Sequence, residues 1–437
     1  MDSDAVLVLS LLVFGYSLIS GRFTGSPVTA AMVFTLAGLL VGPDLLGIVE
    51  VQIDREAFRR VAELALTVLL FTEASRLDLG ALLRRRELPL RLLGIGLPST
   101  MALGAVLALL LIPSLGFWEA AVLAVVLAPT DAALGQAVVS DRRVPGVVRG
   151  SLSAESGLND GLALPFLIIA LAFAEQGADG GSSGHWLWFI VRTIGVSVLV
   201  GAAIGFVGGR LLARGAETGT VMERFAELSI IALAVLSFVL VEHLDGSGFV
   251  GAFVAGITVG AVAPRVAADE ETTASAVGEL LALVVFALFG AAALWPAFEG
   301  VDAEVIAYAL LSLTVVRMIP VALSLAGGGF ARASSLYLGW FGPRGIASLI
   351  FVLLVVEEAD LPATPLIVQT VVVTVAISIV AHGLTAPGGA ALYATAMEAL
   401  RRHRPGAPEL EAGCAPGRRP VRIVPARGQI KDESGGA

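Results

Sequence analysis

Five charged residues lie inside long apolar stretches of the chain. They are Asp131, Glu155, Asp160, Arg317 and Arg344. Left unpaired in a hydrocarbon core, they would together cost on the order of 12–17 kcal/mol, so we expect each to be paired, hydrated or functional. A structural ion pair is a good alternative for Glu155 and a poor one for the two aspartates. Because the three acids outnumber the two arginines, at least one carboxylate lacks a simple partner.

The segment 154–161 reads A-E-S-G-L-N-D-G and offers oxygen ligands. Ser156 and Asp160 are four residues apart, so on a helix they share a face. Asp131, two residues after a proline, would supply a second carboxylate, and unwound backbone near Thr130 would supply carbonyl oxygens. Oxygen ligands of this kind suit a small alkali cation.

Two carboxylates in a partly dry site cannot easily both stay ionised. A site that contains Asp131 and Asp160 would therefore hold either a cation or a proton. Competition between the two ions at one site is sufficient for antiport.

The composition indicates that these residues lie in a membrane. Of the 437 residues, 57% are hydrophobic and 15% are charged, and the mean hydropathy is +0.88. Soluble domains carry ~25% charged residues, so we expect an integral membrane protein. The net charge of -9 argues against a nucleic-acid partner. The single cysteine, Cys414, excludes an internal disulfide, and we expect no cofactor.

Thirteen apolar segments, most of ~17–25 residues, could each cross a ~30 Å hydrocarbon core. The predicted spans are 4–20, 27–43, 61–75, 91–111, 118–139, 150–174, 187–208, 225–242, 248–262, 275–295, 303–325, 334–356 and 364–388. The fold class is therefore an all-α membrane protein with about 13 transmembrane helices. The chain from about Arg401 to Ala437 is rich in proline, glycine and arginine, and we expect residues 391–437 to form a flexible cytoplasmic tail.

The two halves of the chain are similar at an offset of 214 to 218 residues. A-G-L-L-V-G at 37–42 matches A-G-I-T-V-G at 255–260, and A-P-T-D at 128–131 falls opposite F-G-P-R-G at 341–345. The offset is seven spans, and an odd number turns the second copy upside down. We therefore predict two inverted six-helix repeats with two broken crossing helices, a plan typical of secondary transporters with a site near the bilayer midplane.

The distribution of basic residues predicts the orientation of the chain. With the N-terminus outside and the C-terminus inside, 22 of the 28 basic residues lie on the cytoplasmic side. We therefore expect a multi-pass protein of the cytoplasmic (inner) membrane.

The motifs occur together in an order that resembles a known family. A-P-T-D at 128–131, E-S-G-L-N-D-G at 155–161 and G-P-R-G at 342–345 resemble the NhaP-type monovalent cation/proton antiporters, which include the eukaryotic sodium/proton exchangers. The resemblance covers nearly all of the membrane part, and it implies a transmembrane antiporter domain at 1–390 that works as a homodimer.

The resemblance also implies two moving parts. A core domain would comprise residues 91–174 and 303–388, and it would move against a dimer domain of residues 4–75 and 187–295.

The same resemblance implies a role for each residue of the site. Asp160 is the principal cation and proton carboxylate, with Asp131 close by. Thr130 contributes a carbonyl or side-chain oxygen and Ser156 contributes its hydroxyl. Glu73 contributes through water from the dimer domain.

The remaining polar residues would support the site. Asn159 holds the broken helices in register. Glu155 pairs with an arginine, and we expect Arg344 rather than Arg317 to be that partner. Arg344 also offsets the negative helix ends at the crossing. Because the usually electrogenic branch has aspartate where this chain has Asn159, the resemblance implies electroneutral exchange.

The sequence thus predicts a secondary antiporter, not an enzyme, which exchanges Na+ or Li+ for H+ and serves pH homeostasis. K+/H+ exchange by the same fold stays open, because the ion radius is selected by sub-ångström ligand positions. Alternatives of other classes are a channel and an intramembrane hydrolase with an aspartyl dyad. The hydrolase would leave Asn159, Arg344 and the matched helix breaks without a role.

Overall fold

The structure is a computed structural model of the chain. It describes residues 3–23, 26–48, 55–76, 87–131, 134–135, 138, 141, 143–176, 183–264, 273–358 and 361–410. Throughout these ranges the regular secondary structure is helical, and no strand is present in them.

Fifteen helices are named here in chain order, all within the described ranges. The first half contains α1 (Ser3–Phe23), α2 (Ala30–Val41), α3 (Arg55–Arg76), α4 (Glu87–Arg91, continued by a π turn at Leu92–Gly96 and by Leu97–Leu111), α5 (Phe117–Val126), α6 (Gly146–Gln176) and α7 (Ser183–Thr218). The second half contains α8 (Glu223–Glu242), α9 (Gly248–Val262), α10 (Thr273–Phe289, continued by a π turn at Gly290–Leu294 and by Trp295–Phe298), α11 (Ala303–Leu313), α12 (Val315–Leu325), α13 (Arg332–Trp340), α14 (Ile346–Glu358) and α15 (Thr364–His403).

These helices confirm the all-α fold class. Within the described part of the chain, eight helical segments are long and apolar enough to cross a membrane. Each of the thirteen predicted spans falls on a helix, but several of these helices are short or charged, so the count of thirteen stays a prediction. In predicted span five, residues 132, 133, 136, 137 and 139 lie outside the described residues.

Two helices are interrupted where the sequence predicts breaks. After α5 the backbone is irregular from Leu127 to Asp131, and between α13 and α14 it is irregular over 341–345. Each break contains a proline, which cannot donate a backbone hydrogen bond. The breaks are buried inside the protein, where irregular backbone is tolerated at membrane depth.

The helices pack in two groups. One group contains α2, α3 and α7–α10, and the other contains α4–α6 and α11–α15. Contacts between the groups include α6 with α3 and α9, α14 with α3 and α10, and α15 with α2. The division into a core domain and a dimer domain follows the same helices and stays a prediction.

Small residues allow the two halves to pack crosswise. A Cβ added at Gly38 on α2 would lie 2.8 Å from the carbonyl carbon of Ala287 on α10. A Cβ added at Gly256 on α9 would lie 3.0 Å from the carbonyl carbon of Phe71 on α3. The same relation recurs one turn further on, between Gly42 and Ala291 and between Gly260 and Ser75. The glycines repeat at an offset of 218 residues and their partners at 216, so the contacts follow the predicted repeat.

The last helix is longer than predicted. Predicted span thirteen ends at 388, but α15 continues through Pro387 to His403. Ala386, Ala390 and Tyr393 are buried in a cluster on this part of the protein, which explains why the helix does not stop at the proline and the glycines beside it. A short 3-10 turn, Pro408–Leu410, follows, and the rest of the predicted flexible tail lies outside the described residues.

Candidate cation site

The two breaks meet through Asp131. Its backbone amide donates to the carbonyl of Pro343 at 2.8 Å, and its Oδ2 accepts from the amide of Ile346 at 2.7 Å. Ile346 begins α14, so this carboxylate caps the positive end of that half-helix. A Cβ at Gly345 would collide with the Asp131 carboxylate, which explains the glycine at that position.

Arg344 makes the reciprocal contact. Its Nη1 donates to the carbonyls of Ala128 and Pro129 at 2.7 and 3.0 Å. The positively charged guanidinium thus lies at the negative end of α5. The side chain is fully buried, and Ser348 on α14 also donates to Val126 at the end of α5. The expected role of Arg344 in offsetting negative helix ends therefore agrees with its contacts.

Three polar side chains connect the first break, residues 127–131, to α6. The Thr130 and Ser156 hydroxyl oxygens lie 3.1 Å apart, and Asn159 Nδ2 donates to Thr130 Oγ1 at 2.7 Å. All three residues are buried. The amide hydrogen bond from Asn159 to Thr130 therefore joins the first break to α6.

Asp160 follows directly and is half-buried. Its Oδ1 and the Oδ1 of Asn159 are buried acceptors with no hydrogen-bond partner in the described part of the protein. A buried acceptor without a donor is costly. Two such oxygens lie on adjacent residues, beside the hydroxyls of Thr130 and Ser156. Together they form a set of oxygen ligands suited to a small cation or a proton.

Glu73 approaches the site from α3. A Cβ added at Gly157 on α6 would lie 3.6 Å from Glu73 Oε2, so this carboxylate rests against α6 one turn before Asp160. Glu73 and Asp131 both lie close enough to Asp160 for their negative charges to act on its carboxylate. The structure thus brings together all five residues that were expected to bind the ion.

The expected pairing of Glu155 with Arg344 is wrong. Glu155 binds Arg317 in a bidentate pair, with Oε1 to Nη1 at 2.6 Å and Oε2 to Nη2 at 2.9 Å, and both side chains are buried. Arg317 also donates to the carbonyl of Leu338 on α13. Two parallel hydrogen bonds satisfy both carboxylate oxygens, while Arg344 is turned towards the carbonyls of the first break.

A second polar pair, Ser378 and His382, supports the second break, residues 341–345. The Arg344 amide donates to Ser378 Oγ at 2.7 Å, and His382 Nε2 lies 2.9 Å from the carbonyl of Trp340 at the end of α13. His382 Nδ1 lies 2.9 Å from the Ser378 carbonyl and 3.1 Å from the Ser378 hydroxyl oxygen, so each ring nitrogen contacts a backbone carbonyl. The spacing of four residues between Ser378 and His382 is the signal in the sequence that points to this pair.

The chain is similar to several known transporters. The family described as sodium/hydrogen exchanger, transmembrane, matches residues 8–388. A probable Na(+)/H(+) antiporter of Schizosaccharomyces pombe, C3A11.09, is 30% identical over 276 residues, which cover 58% of this chain and 35% of that protein. The chain therefore spans about a third of that relative's length.

Two further matches cover more of both chains. The Na(+)/H(+) antiporter NhaS2 of Synechocystis is 28% identical over 405 residues, or 87% of this chain and 69% of that protein. Among solved structures, the sodium proton antiporter MjNhaP1 of Methanocaldococcus jannaschii at pH 8 matches with a TM-score of 0.73 and 19% identity, covering 88% of this chain and 98% of that one. The fold, the matched breaks and the family match over most of the chain agree, and the chain belongs to the sodium/hydrogen exchanger family.

Proposed function

We propose that this protein is a secondary antiporter that exchanges Na+ for H+ across the cytoplasmic membrane, and so contributes to pH homeostasis. The observation that carries the proposal is the pair of buried acceptors on Asn159 and Asp160, beside the hydroxyls of Thr130 and Ser156. Family membership supports it.

In this scheme Asp160 is the carboxylate that alternates between Na+ and H+. Thr130 and Ser156 supply oxygen ligands, and Glu73 contributes through water from the facing group of helices. Asp131 and Arg344 stabilise the helix ends of the two breaks, so the cation site keeps its shape while its occupant changes. Because one site serves both ions, a movement that exposes this site to one side of the membrane and then to the other is sufficient to couple the two ion flows.

The two packing groups support a movement of one group against the other. We propose that the group with α4–α6 and α11–α15 is the core domain, and that it moves against α2, α3 and α7–α10 within a homodimer. The contacts of α6 with α3 and α9 would then change during transport, since Asp160 lies on α6. The N-terminus would lie outside and the C-terminus in the cytoplasm.

The exchange is expected to be electroneutral with Na+ or Li+ as the cation. Asn159 adds no charge beside Asp160, so one proton replaces one cation. K+/H+ exchange is the alternative from the same fold, and it is decided by the ion series in the assay.

The experiment uses purified protein in liposomes with an internal pH dye and an imposed proton gradient. Na+, Li+, K+ and choline are added in turn, with the voltage set by valinomycin. Dequenching with Na+ and Li+ that is indifferent to voltage is the expected result, and loss of it in Asp160→Asn would link the exchange to this site. A matched control is Asp245→Asn, an exposed acid on the loop between α8 and α9. An equal response to K+ would make the protein a broader antiporter, and no response to any cation would overturn the proposal.

A further inference from the structure

The C-terminal segment after α15 contains a fully buried glutamate. Glu409 Oε1 accepts from the amide of Ala331 and from the hydroxyl of Ser334, both at 2.8 Å. Ala331 is the residue before α13, so this carboxylate caps the N-terminus of one of the two broken half-helices. Ser334 also lies 2.9 Å from the hydroxyl of Tyr393 on α15. Glu409 therefore joins the segment after α15 to α13.

The equivalent half-helix in the first repeat has its own cap. Glu119 Oε2 accepts from the amide of Gly116, the residue before α5, at 2.8 Å. At an offset of 215 residues, Gly116 corresponds to Ala331 and Glu119 to Ser334. In the second repeat a serine thus stands where the first has its capping carboxylate, and a serine side chain is too short to reach back in the same way. Glu409 supplies the missing carboxylate and also binds that serine.

The two ends of α13 are held by different groups. At the C-terminal end, Arg317 binds the carbonyl of Leu338 and His382 binds that of Trp340. At the N-terminal end the carboxylate is that of Glu409. The helix is about 13 Å long, at nine residues and ~1.5 Å each, so a change at one end is transmitted as a shift of the whole element. The residues that follow α13 are the second break, whose Pro343 carbonyl holds Asp131.

The segment 404–410, which carries Glu409, is packed against the rest of the protein. Ala407 is fully buried, and Leu410 packs against a hydrophobic cluster that contains Tyr337 and Tyr393. Pro408–Leu410 also contacts α6, the helix that carries Asp160. The segment therefore touches α6, which carries Asp160, and α13, which leads into the second break.

We propose that Glu409 is a positioning residue of the antiporter, which fixes α13 and through it the alignment of the second break with Asp131. This inference rests on the proposed function, and it makes residues 404–410 part of the transport unit rather than the start of a separate tail. Glu409 does not touch the ion. It acts on cation affinity through α13.

The test compares four full-length variants with the wild type. Glu409→Ala removes the acceptor, whereas Glu409→Gln keeps a side-chain oxygen at the same reach. Ser334→Ala removes one of the two donors, and Glu398→Ala removes an exposed carboxylate of α15 as the matched control. The apparent KM for Na+ and the maximal rate are measured in liposomes, and backbone hydrogen exchange is followed over 331–346.

We expect Glu409→Ala to raise the apparent KM for Na+ by about three- to tenfold, the range that loss of a helix cap implies. Glu409→Gln and Glu398→Ala should stay within about twofold of the wild type, and Ser334→Ala should lie between. Faster hydrogen exchange should extend in Glu409→Ala from the start of α13 into the break.

A lower maximal rate with an unchanged KM in Glu409→Ala would overturn the proposal, since a role in folding alone changes only the amount of active protein. If Glu409→Ala does not fold, a wild-type KM in Ser334→Ala overturns it instead. If the wild type itself exchanges no cation, the proposed function fails, while the hydrogen exchange of the break still decides whether Glu409 positions α13.

Discussion

Asp131 and Arg344 lie on opposite breaks, and each binds the backbone of the other's segment. Asp131 accepts from the amide of Ile346 at 2.7 Å, and Arg344 donates to the carbonyl of Ala128 at 2.7 Å. An acid thus meets the positive end of one half-helix, and a base meets the negative end of the other. The crossing is held together by two charges that satisfy backbone groups which a broken helix leaves open.

This reciprocity separates the helix cap that Asp131 provides from the second carboxylate that it would add to the cation site. Asp131→Asn keeps an oxygen that can accept from Ile346, whereas Asp131→Ala does not. We expect both variants to lose exchange, because the charge is gone. Only Asp131→Ala should also lose about 1–2 kcal/mol of stability, the usual worth of a helix cap. Thermal unfolding in detergent, beside the liposome assay, checks both parts, and equal melting temperatures in the two variants would contradict the capping role.

The bidentate pair of Glu155 and Arg317 predicts a strongly non-additive double mutant. Removing one partner by Glu155→Gln or Arg317→Met leaves a buried charge without its partner and should cost about 3–5 kcal/mol. The double variant should recover part of this loss, since neither charge remains. The free energy of unfolding of the three variants gives the coupling. If the two single losses simply add, the pair does not contribute as described.

The crosswise glycine contacts predict that added methyl groups are not tolerated. Gly38→Ala and Gly256→Ala place a Cβ against the backbone of a neighbouring helix, and we expect each to lose about 1–3 kcal/mol or more. The matched control is Gly195→Ala on α7, where no atom lies within 4 Å of the added Cβ. The yield of folded protein and its melting temperature are the measurements. A stable Gly256→Ala would mean that α3 and α9 can move apart without loss.

Asn159 predicts how the stoichiometry could be changed. Asn159→Asp adds a titratable group beside Asp160, and it also loses the amide donor to Thr130. We expect slower exchange that responds to an imposed membrane potential, unlike that of the wild type. Voltage-clamped liposomes with valinomycin report this directly, with Asn159→Ala as the variant that loses the donor without gaining a charge. Voltage-independent exchange in Asn159→Asp would remove the argument for electroneutrality from this position.

Much of the cation site could be predicted because its residues break the rules of a membrane helix. Prolines and charges inside apolar spans mark Asp131, Asp160 and Arg344, and the repeat places the two breaks opposite each other. The partner of Glu155 could not be predicted in this way. Arg317 and Arg344 both lie in spans of the second half, and sequence spacing does not report which side chain faces another helix.

The end of α15 and the contacts of the segment after it could not be predicted either, because both depend on tertiary packing. Pro387, Gly388 and Gly389 are ordinary signals for the end of a helix, yet α15 continues because its next turns are buried. Glu409 stands in a segment without apolar periodicity, and its contact with Ala331 is determined by tertiary packing alone.

The crosswise packing of α2 with α10 and of α3 with α9 has a consequence for biogenesis. During synthesis α2 and α3 enter the membrane long before their partners leave the ribosome. Until α9 and α10 follow, the glycine faces at Gly38 and Gly42 have only lipid or other helices to contact. The first half therefore cannot complete its own helix contacts before the second half has been made.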